Sequence, residues 1–106
     1  MLRIYPVAVA LVRRVQPLVK QIARHDADLA EQCRCALSSG PLNISEGSYS
    51  QGKNRPARYY NAMGSMREAL SCFEVAAALG YIAPLEESVV AQFDHVIGTL
   101  VRNVRP

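Results

Sequence analysis

Histidine is scarce in this sequence of 106 residues, which contains only His25 and His95. Neither lies four residues from a Cys, Asp or Glu, the spacing at which two side chains on one helix face bind a metal. Asp94 adjoins His95, but neighbouring side chains on a helix are separated by about 100°. We therefore expect no catalytic dyad, no metal site, no cofactor and no enzymatic activity.

Long apolar runs are also missing, so no segment is expected to span a membrane. The apolar start of the chain is interrupted by Arg13 and Arg14, and no small-residue cleavage site follows it. Alternating strand patterns, internal repeats and low-complexity segments are absent as well. These absences favour a helical protein and argue against a secreted one.

Cysteine occurs three times, as Cys33, Cys35 and Cys72, in Ala-rich surroundings. An odd number of cysteines in predicted helices is typical of reduced thiols rather than a disulfide framework, which predicts a cytoplasmic protein. Residues two apart on a helix lie on nearly opposite faces, so we expect Cys33 in the core and Cys35 on another surface.

Apolar residues recur at three- and four-residue steps, the repeat of helices with one buried face. The pattern predicts an all-α protein, an antiparallel up-down four-helix bundle that forms a single domain over residues 1–106. The predicted helices cover about 6–24, 26–50, 56–79 and 84–104, with Gly80 as a C-terminal cap and Pro84 in the first turn of the last helix. The expected core positions are Leu11, Val15, Leu18, Ile22, Leu29, Cys33, Leu37, Ile44, Tyr59, Met63, Met66, Leu70, Phe73, Ala77, Leu85, Val89, Phe93, Val96 and Leu100.

The second predicted helix contains a proline, an asparagine and a glutamate that need an explanation. Pro41 removes a backbone donor and should kink the helix. Asn43 and Glu46 are three residues apart, which places both side chains on one flank of the apolar stripe. There they could cap carbonyls freed at the kink, cross to a neighbouring helix, or contact another subunit.

Two motifs make the chain resemble a known family. Residues 39–47 read Ser-Gly-Pro-Leu-Asn-Ile-Ser-Glu-Gly, similar to an S-x-P-x-N-I-A-E-G signature, and residues 64–68 form G-S-x-x-E. The chain thus resembles the small four-helix-bundle proteins first noticed as products of intervening sequences in bacterial large-subunit ribosomal RNA genes. Accessory proteins of diversity-generating retroelements look like relatives. The resemblance implies a ring-shaped homo-oligomer, most often a pentamer.

Seven motif residues are expected to act in structure or assembly: Pro41, Asn43, Glu46, Gly47, Gly64, Ser65 and Glu68. The small Gly64 should let a neighbouring backbone approach near Gly40 and Pro41. Ser65 is then a candidate hydrogen-bond partner for Asn43. We expect these contacts to fix the register of the bundle or of the subunit interface.

Acidic residues are absent from residues 1–24 and again from 53–67, although both segments are rich in Lys and Arg. Cations at the start of the third helix oppose its dipole unless an anion offsets them. Cations beside tyrosines suit a phosphate backbone with stacked bases. The candidate nucleic-acid-binding residues are Arg13, Arg14, Lys20, Lys53, Arg55, Arg58, Arg67, Tyr59 and Tyr60.

A second interpretation of the same residues is a solvated face, or pairing with acids of neighbouring subunits. The retroelement relatives engage nucleic acid and a reverse transcriptase through basic surfaces, whereas most other members of the resembling family have no assigned activity. Two hypotheses follow for this chain. It is a non-enzymatic oligomer that binds DNA or RNA through a basic surface, or a protein-interaction scaffold with an unidentified protein partner.

Overall fold

The computed structural model describes residues 2–104 and contains four helices in that range. They are α1 (Ile4–Ala23), α2 (Ala27–Tyr49), α3 (Asn54–Ala78) and α4 (Glu87–Val104). No strand occurs among these residues, which confirms the all-α prediction. Contacts join α1 to α2, α2 to α3, α3 to α4 and α4 to α1, so each helix packs against two neighbours around one core.

The first helix buries a single apolar stripe. The predicted core positions Leu11, Val15 and Ile22 are confirmed, while Leu18 is half-buried and Val19 is fully buried beside it. Pro17 lies inside the helix on its exposed side, and the helix continues past it. α1 begins two residues before the predicted start at residue 6.

The second helix begins with a side-chain cap. Asp26 has an extended backbone, and its carboxylate accepts a hydrogen bond from the backbone N–H of Leu29 at 2.9 Å. This satisfies one of the N–H groups that have no acceptor within the helix. α2 then continues through the buried Pro41 to Tyr49, and the kink proposed at Pro41 stays a prediction.

The third helix begins at Asn54, two residues earlier than predicted. Pro56 therefore lies in the first turn, where the first four N–H groups have no intrahelical acceptor and a missing donor costs little. At the other end, Gly80 has a φ of +80°, and Tyr81 N–H bonds to the Ala76 carbonyl at 2.9 Å. This confirms Gly80 as the left-handed residue that ends α3.

The fourth helix begins at Glu87, three residues later than predicted, so the placement of Pro84 in its first turn was wrong. The carbonyl of Glu86 accepts the first hydrogen bonds, from Val89 N at 3.0 Å and Val90 N at 3.2 Å. The residues immediately before Glu86 accept no helical hydrogen bonds. Pro84 therefore lies in an irregular segment that precedes α4.

The α2 and α3 helices pack against each other more extensively than any other pair. Ser39 contacts Ser65 and Ser48 contacts Tyr59, so these two helices run in opposite directions. For the bundle as a whole, the alternating arrangement stays a prediction. Phe73 and Phe93 join α3 to α4 with ring centroids 6.1 Å apart. The remaining fully buried side chains are mostly Leu, Ile, Val and Ala, so the core is apolar.

Candidate functional site

Three elements meet where α2 ends and α3 begins. The backbone N–H of Leu2, just before α1, donates to the Ser48 hydroxyl at 3.3 Å. The same hydroxyl lies 3.3 Å from the phenol oxygen of Tyr59, in the second turn of α3. The start of α1 is therefore held against the α2–α3 connection, and Arg3 joins the cations of that connection at one end of the bundle.

We call this region the basic end and define it by Arg3, Tyr49, Lys53, Arg55, Arg58 and Tyr60, all of them exposed. The guanidinium of Arg55 donates to the backbone carbonyls of Ser50 at 3.1 Å and Ser48 at 3.3 Å. It thereby caps carbonyls left free where α2 ends. Lys53 precedes α3 without a side-chain cap bond, and no acid lies in the first turn. The positive end of the α3 dipole thus adds to the charge of the cations.

The aromatic residues of this region differ from the prediction in one respect. Tyr59 is only 3% exposed and belongs to the core, so its ring is not free to stack on a base and its assignment to a binding surface was wrong. Tyr60 is 62% exposed, as a stacking residue requires. Tyr49, the last residue of α2, is 77% exposed and was not predicted, because it lies outside the cation-rich residues 53–67.

The remaining predicted cations lie outside the basic end. Arg13 and Lys20 are exposed on α1, and Arg67 is exposed on α3, about 13 Å from Arg58 along the helix axis. Arg14 contacts α4 instead. Its guanidinium donates to Gln92, to Ser88 at 2.6 Å and to Glu86 at 3.3 Å. Arg14 is therefore held by three partners of its own chain rather than free for a phosphate.

The residues that carry the family resemblance come together between α2 and α3. Two adjoining shallow grooves, of about 610 and 500 Å³, share Ser39, Asn43 and Arg58. We call them the motif groove. Its further lining residues are Glu31, Arg34, Cys35, Ser38, Leu42, Glu46, Tyr60, Asn61, Gly64, Ser65 and Glu68. The motif groove therefore combines charges of both signs with the exposed side chains of Leu42 and Tyr60.

The expected direct hydrogen bond between Asn43 and Ser65 is not found. Its side-chain amide donates to the backbone carbonyl of Ser39 at 2.9 Å and to the Ser39 hydroxyl at 3.0 Å. The Ser65 hydroxyl donates to that same Ser39 hydroxyl at 2.9 Å. Ser39 thus bridges the two predicted partners. Glu46 lies exposed on the surface, and its contact with another subunit stays a prediction.

The close approach expected at Gly64 was wrong. A Cβ atom added to Gly64 would meet nothing within 4 Å, because the residue faces the open groove. The tight contacts occur at Gly40, where a Cβ would lie 2.2 Å from the Met66 sulfur, and at Gly47, where it would lie 2.5 Å from the Tyr59 ring. Glycine is therefore needed on α2, where α3 side chains cover it.

A short charged network borders the motif groove on α2. Arg34 donates to the Glu31 carboxylate at 3.0 Å, and the Cys35 thiol lies 3.5 Å from the same carboxylate. These contacts lower the pKa of Glu31, chiefly through Arg34. They raise the pKa of the exposed Cys35 thiol, chiefly through Glu31, so this cysteine is a poor nucleophile.

The other two cysteines are buried where α2 meets α3. Burial, followed by the nearby Cys72, raises the pKa of Cys33 to about 12. Burial also raises the pKa of Cys72. The predicted placement of Cys33 in the core and Cys35 outside it is confirmed. Among residues 2–104, no group of three or more His, Cys, Asp or Glu side chains is placed to hold a metal ion.

The two histidines lie apart from both surfaces. His25 follows α1 and stacks on Tyr81 with ring centroids 5.1 Å apart, which joins the end of α1 to the segment after α3. His95 and Asp94 are both exposed on α4. Across the part of the chain that the structure describes, no helix has the length and apolar character needed to cross a bilayer.

Comparison with known proteins gives one match. A family model described as 23S rRNA-intervening sequence protein matches residues 1–101, which include both motifs and all four helices except the last three residues of α4. No curated protein and no solved structure matches the chain. The family model spans the basic end and the motif groove alike, so the chain belongs to the 23S rRNA-intervening sequence protein family.

Proposed function

We propose that this protein is a non-enzymatic, self-assembling accessory protein that binds single-stranded nucleic acid through its basic end. The observation that supports this most is the combination of four exposed cations with two exposed tyrosines at one end of the bundle. A positive surface that follows a phosphate backbone, with aromatic rings for unpaired bases, is the common feature of sequence-tolerant single-strand binding.

Cations and acids are concentrated at opposite ends of the bundle, which favours this proposal. No acid belongs to the basic end, and Glu31, Glu46 and Glu68 line the motif groove beside its Arg58. The stacked rings of His25 and Tyr81 mark the opposite end, and most acids are found towards it: Asp26, Asp28, Glu74, Glu86 and Glu87. A polyanion would be attracted to one end and repelled by the other, so the field would orient it before contact.

The cations of the basic end are available for an external anion. The two ion pairs among residues 2–104 are Arg14–Glu86 and Arg34–Glu31, and neither involves a residue of the basic end. Arg55 donates to backbone carbonyls, which carry no formal charge, rather than to a carboxylate. The Debye length at physiological salt is about 8 Å, so neighbouring cations in this segment act on the same stretch of phosphates.

Assembly and location complete the proposal. We propose a homo-oligomeric ring, a pentamer by family resemblance, in which the basic end is repeated around the axis and binds one strand at several points. We also propose a cytoplasmic location, since Cys33 and Cys72 are neighbouring free thiols.

The test is fluorescence anisotropy with fluorescein-labelled single-stranded RNA, single-stranded DNA and duplex DNA across a salt series. We expect the single strands to bind more tightly than the duplex, with affinity that falls steeply as salt rises. The double variant Lys53→Gln, Arg58→Gln should weaken binding and reduce the slope of log K against log salt by about 0.7 per lost phosphate contact on single strands.

A matched control removes the same charge elsewhere. Arg24→Gln with Arg34→Gln lowers the net charge equally but changes residues outside the basic end. Equal losses in both double variants would mean that net charge alone drives binding. No binding by the unaltered protein at low salt would refute the nucleic-acid proposal.

The motif groove favours a second function, a protein-interaction scaffold. Leu42 and Tyr60 are both 62% exposed there, beside acids and arginines. Exposed apolar side chains surrounded by mixed charge are more typical of protein contacts than of nucleic-acid contacts. Under this alternative, Lys53→Gln would leave partner binding unchanged, because Lys53 belongs to the basic end but does not line the motif groove, while Leu42→Asp would abolish it.

A further inference from the structure

One side of α1 forms an apolar surface with an unpaired basic rim. We define the α1 surface by Val9, Val12, Arg13, Gln16, Pro17 and Lys20, which line a shallow groove of about 510 Å³. Val9 and Val12 also line a second groove with Leu37, Pro41 and Leu42 of α2. The apolar area therefore continues from α1 onto α2, where Leu42 is largely exposed.

The cations of the α1 surface have a regular spacing and no partner within residues 2–104. Neither Arg13 nor Lys20 is part of an ion pair in that range. Seven residues separate them, which corresponds to about 10.5 Å along the helix and an angular offset of about 20°. They therefore present two positive charges on one line, along the edge of the apolar groove.

A complementary line of charge lies on α4. Glu87 and Asp94 are exposed, are also seven residues apart, and form no ion pair among the described residues. Ala91 lies between them, and Gly98 follows one turn later. We define these four residues as the α4 stripe. Ala91 leaves room for apolar side chains of another helix, as at the seam of a coiled coil, and the two acids lie where flanking charges select the partner. At Gly98 an added Cβ would lie 3.6 Å from the Arg102 guanidinium, so that end of the stripe is covered by a cation.

The two surfaces do not contact each other within one chain. Ser88 and Gln92 are the α4 residues that contact Arg14 of α1. Asp94 is two residues beyond Gln92, and Glu87 is one before Ser88, so both acids are turned by more than about 100° from the side that contacts α1. The α1 surface and the α4 stripe therefore point outward in different directions.

We propose that the α1 surface of one copy binds the α4 stripe of a second copy of this chain. Arg13 and Lys20 would pair with Glu87 and Asp94, and Val9, Val12 and Pro17 would pack on Ala91. A contact between two different surfaces is heterologous, and repeated heterologous contacts close into a ring when the rotation allows. This inference rests on the self-assembly part of the proposed function. It leaves the basic end free to bind nucleic acid.

Charge reversal with size-exclusion chromatography and light scattering tests the proposal on the full chain. We expect the unaltered protein to have a mass of several chains. The variant Arg13→Glu, Lys20→Glu and the variant Glu87→Lys, Asp94→Lys should each weaken self-association by about tenfold or more, because like charges then face each other. The combined fourfold variant restores opposite charges and should recover the original mass.

Circular dichroism checks that each variant remains helical. Arg67→Glu with Glu74→Lys serves as the charge-reversal control, because both residues are exposed on α3 and belong to neither surface. An unaltered protein that is monomeric would overturn both the self-assembly proposal and this inference. An oligomer whose mass is unaffected by either double variant would overturn this inference alone. Failure of the fourfold variant to recover, while both double variants remain folded monomers, would also overturn it.

Discussion

Ser65 on α3 donates a hydrogen bond to Ser39 on α2, with 2.9 Å between their hydroxyl oxygens. Ser39 in turn accepts from the side-chain amide of Asn43, one turn further along α2. All three residues are half-buried at the edge of the motif groove. The hydroxyl of Ser39 therefore joins the two family motifs across the most extensively packed helix pair.

This link predicts that Asn43 and Ser65 are energetically coupled. We expect Asn43→Ala and Ser65→Ala each to lower the free energy of unfolding by about 0.5–1.5 kcal/mol, the usual net value of a hydrogen bond. The double variant should lose less than the sum, because both residues bind the same hydroxyl. Urea unfolding at one protein concentration measures this. Strictly additive losses would contradict the coupling, and Ser71→Ala, exposed on α3, is the control.

The glycines of the two motifs should respond in opposite ways to alanine. At Gly40, an added Cβ would lie 2.2 Å from the Met66 sulfur, so we expect Gly40→Ala to lower the free energy of unfolding by about 1–3 kcal/mol through overpacking. At Gly64 the space is open, and Gly64→Ala should raise it by about 0.5–1 kcal/mol through helix propensity.

Thermal unfolding of the two glycine variants, followed by circular dichroism at matched concentration, distinguishes these effects. Gly40→Ala combined with Met66→Ala should lower the free energy of unfolding by less than the sum of the two single variants, because the shorter side chain removes the clash although it leaves a cavity. If Gly64→Ala instead destabilises the protein or lowers the mass of its assembly, Gly64 packs against a second copy of the chain.

The sequence predicted the helices and the core well because periodicity reports burial directly. Leu11, Met66, Phe73, Phe93 and Leu100 are all buried as expected. Sequence predicted side-chain direction less well where neighbouring positions are chemically alike. Tyr59 and Tyr60 are adjacent and identical, yet packing against Ser48 and Gly47 buries only the first.

Two further errors have the same kind of cause. Gly40 and Gly64 are both helical glycines in family motifs, and only the position of Met66 shows which one is covered. Arg14 looks like any other cation of α1, but the late start of α4 places Glu86 and Ser88 beside it. Such pairings depend on how helices are placed against each other, which a single sequence does not specify.

The buried thiols predict a specific loss of stability at alkaline pH. The pKa of Cys33 is about 12 in the folded chain, above its ordinary value of 9.0. Below pH 9 both states keep the proton, and the full stability is present. Above pH 9 the unfolded chain releases the proton while the folded chain retains it, so stability falls by up to about 1.4 kcal/mol per pH unit.

Melting temperatures measured from pH 7 to pH 11 test this for the unaltered protein and for Cys33→Ala. The variant has a lower melting temperature at neutral pH because it loses packing, but its curve should descend less steeply above pH 9. Cys35→Ala is the control, since that thiol is exposed. Parallel curves for all three proteins would show that Cys33 is not protected in the fold.

If the basic end binds nucleic acid as proposed, its exposed tyrosines predict how it contacts bases. Tyr49 and Tyr60 are 77% and 62% exposed, so Tyr49→Ala and Tyr60→Ala should leave the fold intact. If each ring stacks on one base, each variant loses about 1–3 kcal/mol of binding free energy for single-stranded RNA. Phenylalanine at either position should restore binding, because stacking needs the ring and not the hydroxyl. This separates stacking from a hydrogen bond to phosphate.

The tyrosine variants and the cation variant should differ in the salt dependence of binding. Removing a stacked ring eliminates no phosphate contact, so the slope of log K against log salt should be unchanged in Tyr49→Ala and Tyr60→Ala. The Lys53→Gln, Arg58→Gln variant should show the opposite behaviour, a reduced slope. Anisotropy titrations at four salt concentrations measure both. Tyrosine variants that reduce the slope as strongly as the cation variant would mean that the rings only position the neighbouring cations, and stacking on bases would then be refuted.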